Sequence, residues 1–568
     1  MRLPLTAKAY QERSGIASTL RSINLYAELN KDDAQAVVPI TYYQTPGSLR
    51  FANDNANANV VRCTYRTSIG TAYCVVGTTV YFVSSNGVLN TVGFIADRPS
   101  QIYAADNGLA VVLVDGVGGY VIDMISNDFH QIIDPAFYGA NYVVFQDTFF
   151  VFNRPGTNQF YISLSQSNFG MLSNTGVDTG TIVGGALYTD GTYLSVPLTG
   201  GSGGGAVANI TVAGGTVTVV DIVDFGSNYL VGDVLSADAA NIGGTGAGFT
   251  WTVDTTATAF DPLDIAAKSG SADPIVAILT LHDELWLIGA LTTEVWVGTG
   301  AADFFFQRVQ GAFIEHGCIA PYSASNQDVL GFWLMRDRQG KNIVVQASGY
   351  DVHEISTPYL VETFSNYVVT NDAIGFCFQI SGHAFYCLTF PRANKTWLYS
   401  LKSKMWNEWN WFYQTDGSLN RARANCCMFA FDMNIIGDWE NGKLYSLSSN
   451  LFTDDGDVPI IRIKDFAHLV NNFDRVSYKS FDADMEVGTA DPAADPPEPT
   501  VALSWSDDRG KSFGFPLDQS LGAGGEYLTT VSWNRLGYAR DRVFRLQWSA
   551  AIRTALNGAF VEAVKGRT

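Results

Sequence analysis

The segment AYCVVGTTVYFVSSNGVLNTV, residues 72–92, decides the fold of this chain. It contains three short runs rich in β-branched and aromatic residues, separated by Gly77-Thr78 and by Ser85-Asn86-Gly87. Such glycine-containing pairs and triplets between apolar runs are turn sequences typical of β-hairpins. The segment therefore predicts three short antiparallel strands joined by tight turns.

The same order of strands and turns recurs along the chain. Tyr81, Tyr120 and Tyr161 occupy equivalent strands, and their spacing is close to the about 40 to 50 residues of a four-stranded propeller blade. Further units follow over residues 275–309, 329–355 and 375–411, with a last partial unit over 426–448. The pattern predicts an all-β chain with a β-propeller of six blades, or seven if an N-terminal strand completes the last unit.

The composition favours the same fold class. The 568 residues include 55 glycines and 47% hydrophobic residues but 16% charged ones, as expected for a β-rich chain with many turns. A chain of this length should form roughly two to four domains. It has no apolar run long enough for a signal sequence or a membrane span, so we expect a soluble protein made in the cytoplasm.

The net charge and the cysteine spacing argue against several classes of protein. The formal net charge is −20, from 35 Lys plus Arg against 55 Asp plus Glu. This argues against a sequence-independent nucleic-acid binder, because neutralising phosphates requires a basic surface. The seven cysteines have no Cys-x-x-Cys spacing and are predicted to be free thiols, and no metal site or cofactor is expected.

Shifts in composition divide the chain into five segments. Residues 1–54 form an extended leader, 55–196 the first blades and 255–456 the remaining blades. Residues 197–254 are a glycine-rich β module inserted between the third and fourth units, in a loop where insertions cost little. Residues 457–568 have longer strands, typical of a C-terminal β-sandwich.

The predicted sandwich contains SWSDDRGKSF, residues 504–513. From Ser506 it fits the Asp-box pattern Ser-x-Asp-x-Gly-x-Ser/Thr-aromatic. In this pattern the Asp508 carboxylate accepts hydrogen bonds from N–H groups of its own turn, Gly510 takes the positive φ, and the Phe513 ring holds the hairpin. Ser506, Asp508, Gly510 and Phe513 are therefore predicted to form a structural turn.

Motifs for catalysis are weak. A Gly-x-Ser-x-Gly pattern occurs at 200–204, but it lies in a glycine linker without the strand-to-helix turn that a Ser202 nucleophile needs. His316 and Cys318 follow a strand, yet one His beside one Cys defines no catalytic dyad. The aromatic segment 406–411 could stack on sugars or pack between blades, and a carboxylate pair for glycoside hydrolysis stays open.

Several segments in a fixed order resemble one family. They are INLYAE at 23–28, FNRPG at 152–156, QGAFIEHGC at 310–318 and WNRLGYARDRVF at 533–544, together with the hairpin at 504–513. In these segments the chain resembles the tail-hub, or tail-nozzle, proteins of short-tailed phages, the family named for stabilising packaged DNA. The resemblance runs along most of the chain apart from the inserted module.

The resemblance implies a structural protein without enzymatic activity. It implies a homohexameric ring in the virion tail, next to the portal and adaptor rings, with tail fibres or spikes outside. Packaged double-stranded DNA would leave through the lumen without specific binding, which agrees with an acidic chain. A glycan-binding or glycan-cleaving propeller acting on host polysaccharide is the alternative hypothesis, and host-surface contact through residues 197–254 is a third.

Overall fold

The computed structural model of the chain describes residues 2–5, 20–30, 39–54, 59–301, 303–472, 474–490 and 498–565. Within these residues nearly all regular structure is β-strand. Phe169–Leu172 and Pro358–Ser365 are short α-helices, and Ala239–Asn241 and Pro321–Ser323 are 3-10 turns. The predicted all-β class is confirmed.

Seven groups of four neighbouring antiparallel strands in the described residues have the arrangement of a propeller blade; six are separate sheets and one is part of a larger sheet. Blades 1 and 2 consist of Val61–Arg66, Ala72–Val76, Thr79–Val83 and Leu89–Phe94, then Tyr103–Asp106, Ala110–Val114, Gly119–Asp123 and Phe129–Gln131. Blades 3 and 4 consist of Val143–Gln146, Phe149–Asn153, Gln159–Ile162 and Ile265–Ala267, then Ile275–Leu281, Glu284–Gly289, Thr293–Gly298 and Phe306–Ile314. Blades 5 and 6 consist of Ser325–Gln327, Leu330–Arg336, Asn342–Ser348 and Asp351–Glu354, then Ile374–Ile380, His383–Phe390, Lys395–Ser400 and Met405–Glu408.

Blade 7 is completed by the N-terminal segment. Its first three strands are Ala424–Ala430, Met433–Asp438 and Lys443–Ser448, and the fourth is Gly47–Asn53. The pairing runs from Gly47 opposite Ser448 to Asn53 opposite Lys443. The described sheets therefore match the higher of the two predicted blade counts, with the leader strand in the predicted closing position.

A glycine in the segment that opened the sequence analysis lies against this closing strand. Gly87 has φ of +81°, and a Cβ at this position would lie 2.1 Å from the carbonyl oxygen of Phe51. Only glycine satisfies both the left-handed turn and the close backbone approach. The Ser85-Asn86-Gly87 turn is therefore fitted to the leader as well as to its own hairpin.

The inserted module consists of two small sheets. One contains Val177–Ala186, Ala247–Thr256, Val234–Ser236 and Thr199–Gly200, and the other contains Gly191–Pro197, Gly204–Ala213 and Thr216–Ser227. Their facing sides enclose a core that includes Ile210, Tyr229 and Trp251. The paired strands begin at Val177, before the predicted start at 197, and the module lies between the third and fourth strands of blade 3 rather than between two blades.

The C-terminal domain is a sandwich that includes leader strands. One sheet contains Leu25–Leu29, Ile40–Gln44, Ala555–Lys565, Val476–Met485, Val531–Asn534 and Tyr538–Ala539. The other contains Arg462–Asp465, Leu469–Val470, Asp541–Trp548, Thr500–Ser506 and Leu517–Ser520. Leu25, Ala27 and Tyr42 of the leader belong to its apolar core. The described strands of the segment predicted as a separate leader, 1–54, thus belong to the sandwich, to blade 7 and to the sheet of blade 6.

The two-residue strand Ser22–Ile23 joins blade 6 to the sandwich. It pairs in parallel with Met405–Glu408 and antiparallel with Arg462–Asp465, which produces one ten-stranded sheet. Two smaller hairpins complete the regular structure near blade 7: Asn410–Tyr413 with Ser418–Arg421, and Thr453–Asp454 with Val458–Pro459.

The chain divides into two compact units. The first comprises Met1–Thr64, Val83–Leu89 and Ile314–Thr568, and its apolar cores lie in the sandwich and in blades 5 to 7. The second comprises Tyr65–Phe82 and Asn90–Phe313, and its cores lie in blades 2 and 3 and in the inserted module.

No helix in the described part of the chain is both long enough and apolar enough to span a bilayer.

Candidate functional site

The predicted Asp-box turn follows the strand Thr500–Ser506 in the sandwich. The Asp508 carboxylate accepts hydrogen bonds from the N–H groups of Lys511 at 3.1 Å and Ser512 at 2.9 Å, and from the hydroxyls of Ser506 and Ser512. The Gly510 N–H donates to the Ser506 hydroxyl at 2.8 Å, and Gly510 has φ of +83°. Four donors therefore converge on one carboxylate within a few residues.

These donors favour the charged form of Asp508. Hydrogen bonds from the Ser506 and Ser512 hydroxyls, followed by the Ser512 N–H, lower the pKa of Asp508 below its ordinary value. The carboxylate is solvent-exposed, so its partners rather than burial set its pKa. The turn is held by an ionised side chain across the neutral pH range.

The Phe513 ring of the hairpin packs against the guanidinium of Arg545. The Arg545 guanidinium lies 3.6 Å from the centre of the Phe513 ring, and it also forms two hydrogen bonds to Asp465, of 2.6 and 2.8 Å. A guanidinium pairs with a carboxylate in its own plane while presenting its face to a ring. Phe513, Arg545 and Asp465 thus link the hairpin to the strand that pairs with Ser22–Ile23.

A second arginine beside the turn was not predicted from sequence. Arg542, whose side chain is 2% exposed, forms two hydrogen bonds to Asp507, of 2.7 and 2.8 Å. Its guanidinium lies 4.7 Å from the Tyr478 ring centre and 5.1 Å from that of Trp505. The sequence offered one signal for this contact: the Asp-box pattern requires Asp508 but not the adjacent Asp507, which is therefore available to pair with a cation.

A network of polar contacts anchors the leader to blade 6. Arg21 forms two hydrogen bonds to the buried Glu408, of 2.7 and 2.9 Å, and Lys395 lies 3.3 Å from the same carboxylate. The Asn24 side chain donates to the Ile461 carbonyl at 2.9 Å and accepts from the Asn410 N–H at 2.7 Å. The Asn24 side chain therefore bridges Asn410, directly after blade 6, and Ile461, directly before the sandwich strand.

A buried lysine attaches the sandwich to the leader. Lys464 is 1% exposed, and its Nζ donates to the Ser22 hydroxyl at 2.8 Å and to the Tyr42 hydroxyl at 3.1 Å. The ammonium also lies 4.1 Å from the centre of the Tyr42 ring. Burial lowers the pKa of Lys464 to about 7.

Paired aspartates lock the closing strand of blade 7. The Ser48 hydroxyl donates to the buried Asp454 at 2.7 Å, and Asp455 accepts from Arg50 at 2.7 and 2.9 Å and from Lys443 at 2.8 Å. Burial raises the pKa of Asp454 to about 7, partly offset by the Ser48 hydrogen bonds. The run 454–457 contains the predicted boundary between propeller and sandwich. Its first two aspartates also bind the leader through Ser48 and Arg50.

The candidate catalytic residues are engaged in structural contacts. The Ser202 hydroxyl lies 2.6 Å from Asp233 Oδ2 and 3.1 Å from the Asn228 carbonyl oxygen, in a loop that no helix follows. The buried Cys318 Sγ lies 3.1 Å from the Ala320 carbonyl oxygen, and burial raises the pKa of the Cys318 thiol to about 11. Burial lowers the pKa of His316. A thiol held protonated in this way is a poor nucleophile.

The aromatic run of blade 6 serves packing. Trp406, Trp409 and Trp411 are 3%, 5% and 7% exposed and belong to the apolar cores of blades 5 to 7. Of the two predicted uses, stacking on sugars and packing, their burial fits packing.

The seven cysteines, all of which lie in the described part of the chain, form no disulfides. Within the described residues, no three His, Cys, Asp or Glu side chains are grouped so that they could hold a metal ion.

A groove of about 290 Å³ opens beside the leader. The rings of Tyr26, Tyr43 and His383 line it together with Glu28 and Arg553. Glu28 is the one acidic residue among its lining residues. Glycoside hydrolysis ordinarily uses two carboxyl groups, so this groove lacks the pair that cleavage of a glycan requires.

Two family models match the chain in order. A model described as Bacteriophage P22 Gp10, beta-propeller, matches residues 203–452, and one described as Bacteriophage P22 Gp10, beta-sandwich, matches residues 462–564. Together they cover more than half of the chain. No curated protein sequence matches it.

Two solved structures to which the chain is similar have low identity and a low TM-score. YCF48 from Cyanidioschyzon merolae is 10% identical over 71% of this chain and 98% of its own, with a TM-score of 0.25. Apo AztD from Citrobacter koseri is 9% identical over 72% of this chain and 95% of its own, with a TM-score of 0.27. Likenesses at this level bear on neither the fold nor the function.

Proposed function

Because the chain belongs to the tail-hub family of short-tailed phages typified by bacteriophage P22 Gp10, we propose that it forms a ring-shaped conduit in the tail. In this role it retains packaged DNA, lets it leave on infection and attaches fibres or spikes. The family is one of structural virion proteins, and the proposed role is not enzymatic. The observation that carries the proposal is the pair of family matches, propeller then sandwich, in one chain.

The leader contacts support a role in transmitting force. A conduit at the end of a pressurised genome must pass load between its domains without unfolding. Ser22–Ile23 makes blade 6 and one sheet of the sandwich continuous, and Gly47–Asn53 closes blade 7. Separating the sandwich from blade 6 would break backbone hydrogen bonds on both sides of the same short strand.

The net charge supports passage of DNA without binding. A chain with formal net charge −20 repels phosphates on average, and weak repulsion keeps a duplex mobile in a channel. The proposed partners are further copies of the chain in a six-membered ring, the portal and adaptor rings, and fibres or spikes.

Phage that lack this chain test the proposed retention of DNA. Particles assembled without it should package DNA and then release it, so that the genome becomes sensitive to added DNase, and supplying the purified chain during assembly should restore protection. Particles that keep their DNA and infect without the chain would overturn the proposal.

The alternative glycan-directed function has its own test. Purified chain incubated with host capsule or lipopolysaccharide should release no new reducing ends. Release that is lost on mutating a pair of neighbouring carboxylates would instead favour a glycan-cleaving propeller.

A further inference from the structure

The inserted module has an unusual composition for an exposed domain. Residues 177–256 contain seven aspartates and no Glu, Lys, Arg or His. Eight large apolar side chains of the module are nevertheless exposed by about half or more: Val183, Leu187, Leu194, Val219, Val223, Leu230, Val231 and Val234. Monomeric proteins rarely leave such groups clustered in solvent without a partner.

Leu194, Val219 and Val223 lie on one sheet face. The sheet of Gly191–Pro197, Gly204–Ala213 and Thr216–Ser227 turns Ala208, Ile210 and Val212 into the module core. Because side chains alternate along a strand, the intervening residues Asn209 and Thr211 point outward.

Strand pairing assigns the rest of this face. Val219 lies opposite Thr211, and Asp221 lies opposite Asn209. Leu194 lies at a bulge beside Asn209, whose side chain accepts from the Ser195 N–H at 3.0 Å. We call Leu194, Val219, Asp221, Val223 and Asp224 the outer face.

The described residues of the chain leave the outer face open. Leu194, Val219 and Val223 are 72%, 49% and 53% exposed, and Asp221 and Asp224 are exposed beside them. The face therefore offers apolar side chains next to two carboxylates, with no cation in the module to neutralise them. Such a surface is complementary to an apolar patch bordered by basic residues.

The charge of the module excludes the other occupants. Nucleic acid and phosphorylated envelope glycans are anionic, and a second copy of the module would bring seven more aspartates without a base. Like charges that face each other across an interface disfavour association. We propose that the outer face docks another protein of the phage particle, one that presents apolar side chains within a rim of Lys and Arg. This inference rests on the proposed function in one respect, namely that the partner is a component of the phage particle.

Hydroxyl-radical footprinting of the purified chain and of intact phage tests the proposal. Leu194, Val219 and Val223 should be labelled severalfold less in the phage, whereas Val183, on the other sheet of the module, provides the comparison and should keep its labelling. Equal labelling of the outer face in both samples would overturn the proposal. Intact phage that contain no copy of the chain would overturn both the proposed function and this inference, whereas equal labelling in phage that do contain the chain would overturn the inference alone.

A matched pair of variants gives the second arm. Val219→Ser with Val223→Ser should leave the melting temperature of the purified chain unchanged, because both side chains already face solvent. In the phage it should restore labelling of Leu194 and weaken partner retention about tenfold or more, whereas Val183→Ser should do neither. Protection of the face that arises only after adding host envelopes would also contradict the proposal, since the occupant would then be the host surface.

Discussion

Asp508 shows how much of a turn one carboxylate can hold. It collects two backbone N–H groups and two hydroxyls. Its neighbour Asp507 pairs with the buried Arg542. The two adjacent acids thus have different tasks, one inside the turn and one between the turn and the sandwich core.

Replacing Asp508 with Asn should lower the melting temperature and flatten its dependence on acid pH. The pKa of Asp508 is lowered in the folded chain by the Ser506 and Ser512 hydroxyls. Its stabilising contribution is therefore present above the ordinary Asp pKa of about 4 and is lost as pH falls through the folded value. Calorimetry between about pH 2 and about pH 7 measures the melting temperature of both chains as a function of pH.

Asp518→Asn is the matched control, because Asp518 is exposed on the strand that follows the same hairpin. It should leave the acid dependence as in the unaltered chain. Equal acid curves for Asp508→Asn and the unaltered chain would show that the carboxylate does not hold the turn.

Replacing Asp454 with Asn should act in the opposite pH direction. Burial raises the pKa of Asp454 to about 7, so its contribution is greatest below about pH 4 and is lost as pH rises through about 7. Between about pH 5 and pH 8 the unaltered chain should lose on the order of 2 to 3 kcal/mol through this group, and the variant should not. Urea unfolding at both pH values measures the difference.

Asp457→Asn, at an exposed position in the same run, serves as the comparison for Asp454→Asn. It should preserve the loss of stability between the two pH values. If Asp454→Asn preserves that loss as well, the loss does not come from Asp454. The raised pKa of the buried Asp454 beside Ser48 would then be contradicted.

At the scale of elements, local patterns predicted most of the propeller. Hairpin turns such as Ser85-Asn86-Gly87 are encoded in adjacent residues, so the blades could be recognised one by one. The pairing of Val177–Ala186 with Ala247–Thr256 spans the whole module, and the first of these strands is rich in glycine and threonine. Sequence therefore missed where the module begins.

Long-range joints were the least predictable elements. Ser22–Ile23 is too short to carry a periodic pattern, yet it joins blade 6 to the sandwich. The arginine contacts of the Phe513 hairpin were missed for the same reason, since Arg542 and Arg545 are distant from the turn in sequence and meet it only through strand pairing. The closing of blade 7 by the leader could be anticipated because an incomplete last unit needs a fourth strand.

Arg21→Ala tests the leader joint. It removes the cation that pairs with the buried Glu408, while Lys395 still lies beside that carboxylate. Loss of one member of a largely buried pair should lower the free energy of unfolding by about 1 to 3 kcal/mol. Denaturant unfolding followed by tryptophan fluorescence measures it.

Lys479→Ala is the control for Arg21→Ala. Lys479 and Glu562 form an ion pair in which both side chains are more than half exposed. Such a pair contributes within about 1 kcal/mol. A cost for Arg21→Ala no larger than for Lys479→Ala would mean that the Arg21 contact does not fasten the leader.

At the scale of the whole molecule, family membership and net charge point to the same role. The propeller and sandwich matches place the chain among phage tail-hub proteins. The formal charge of −20 suits a wall past which DNA moves rather than one to which it binds. The seven aspartates of the inserted module suit contact with a basic partner, so the proposed task of the module differs from the proposed task of the propeller and sandwich.

Electron microscopy of the purified chain and of the phage tail tests the central claim most directly. The account predicts closed rings of six copies around a central channel, with acidic side chains concentrated on the channel wall. A chain that is monomeric both in solution and in the phage particle, or a ring with a strongly basic channel, would contradict it.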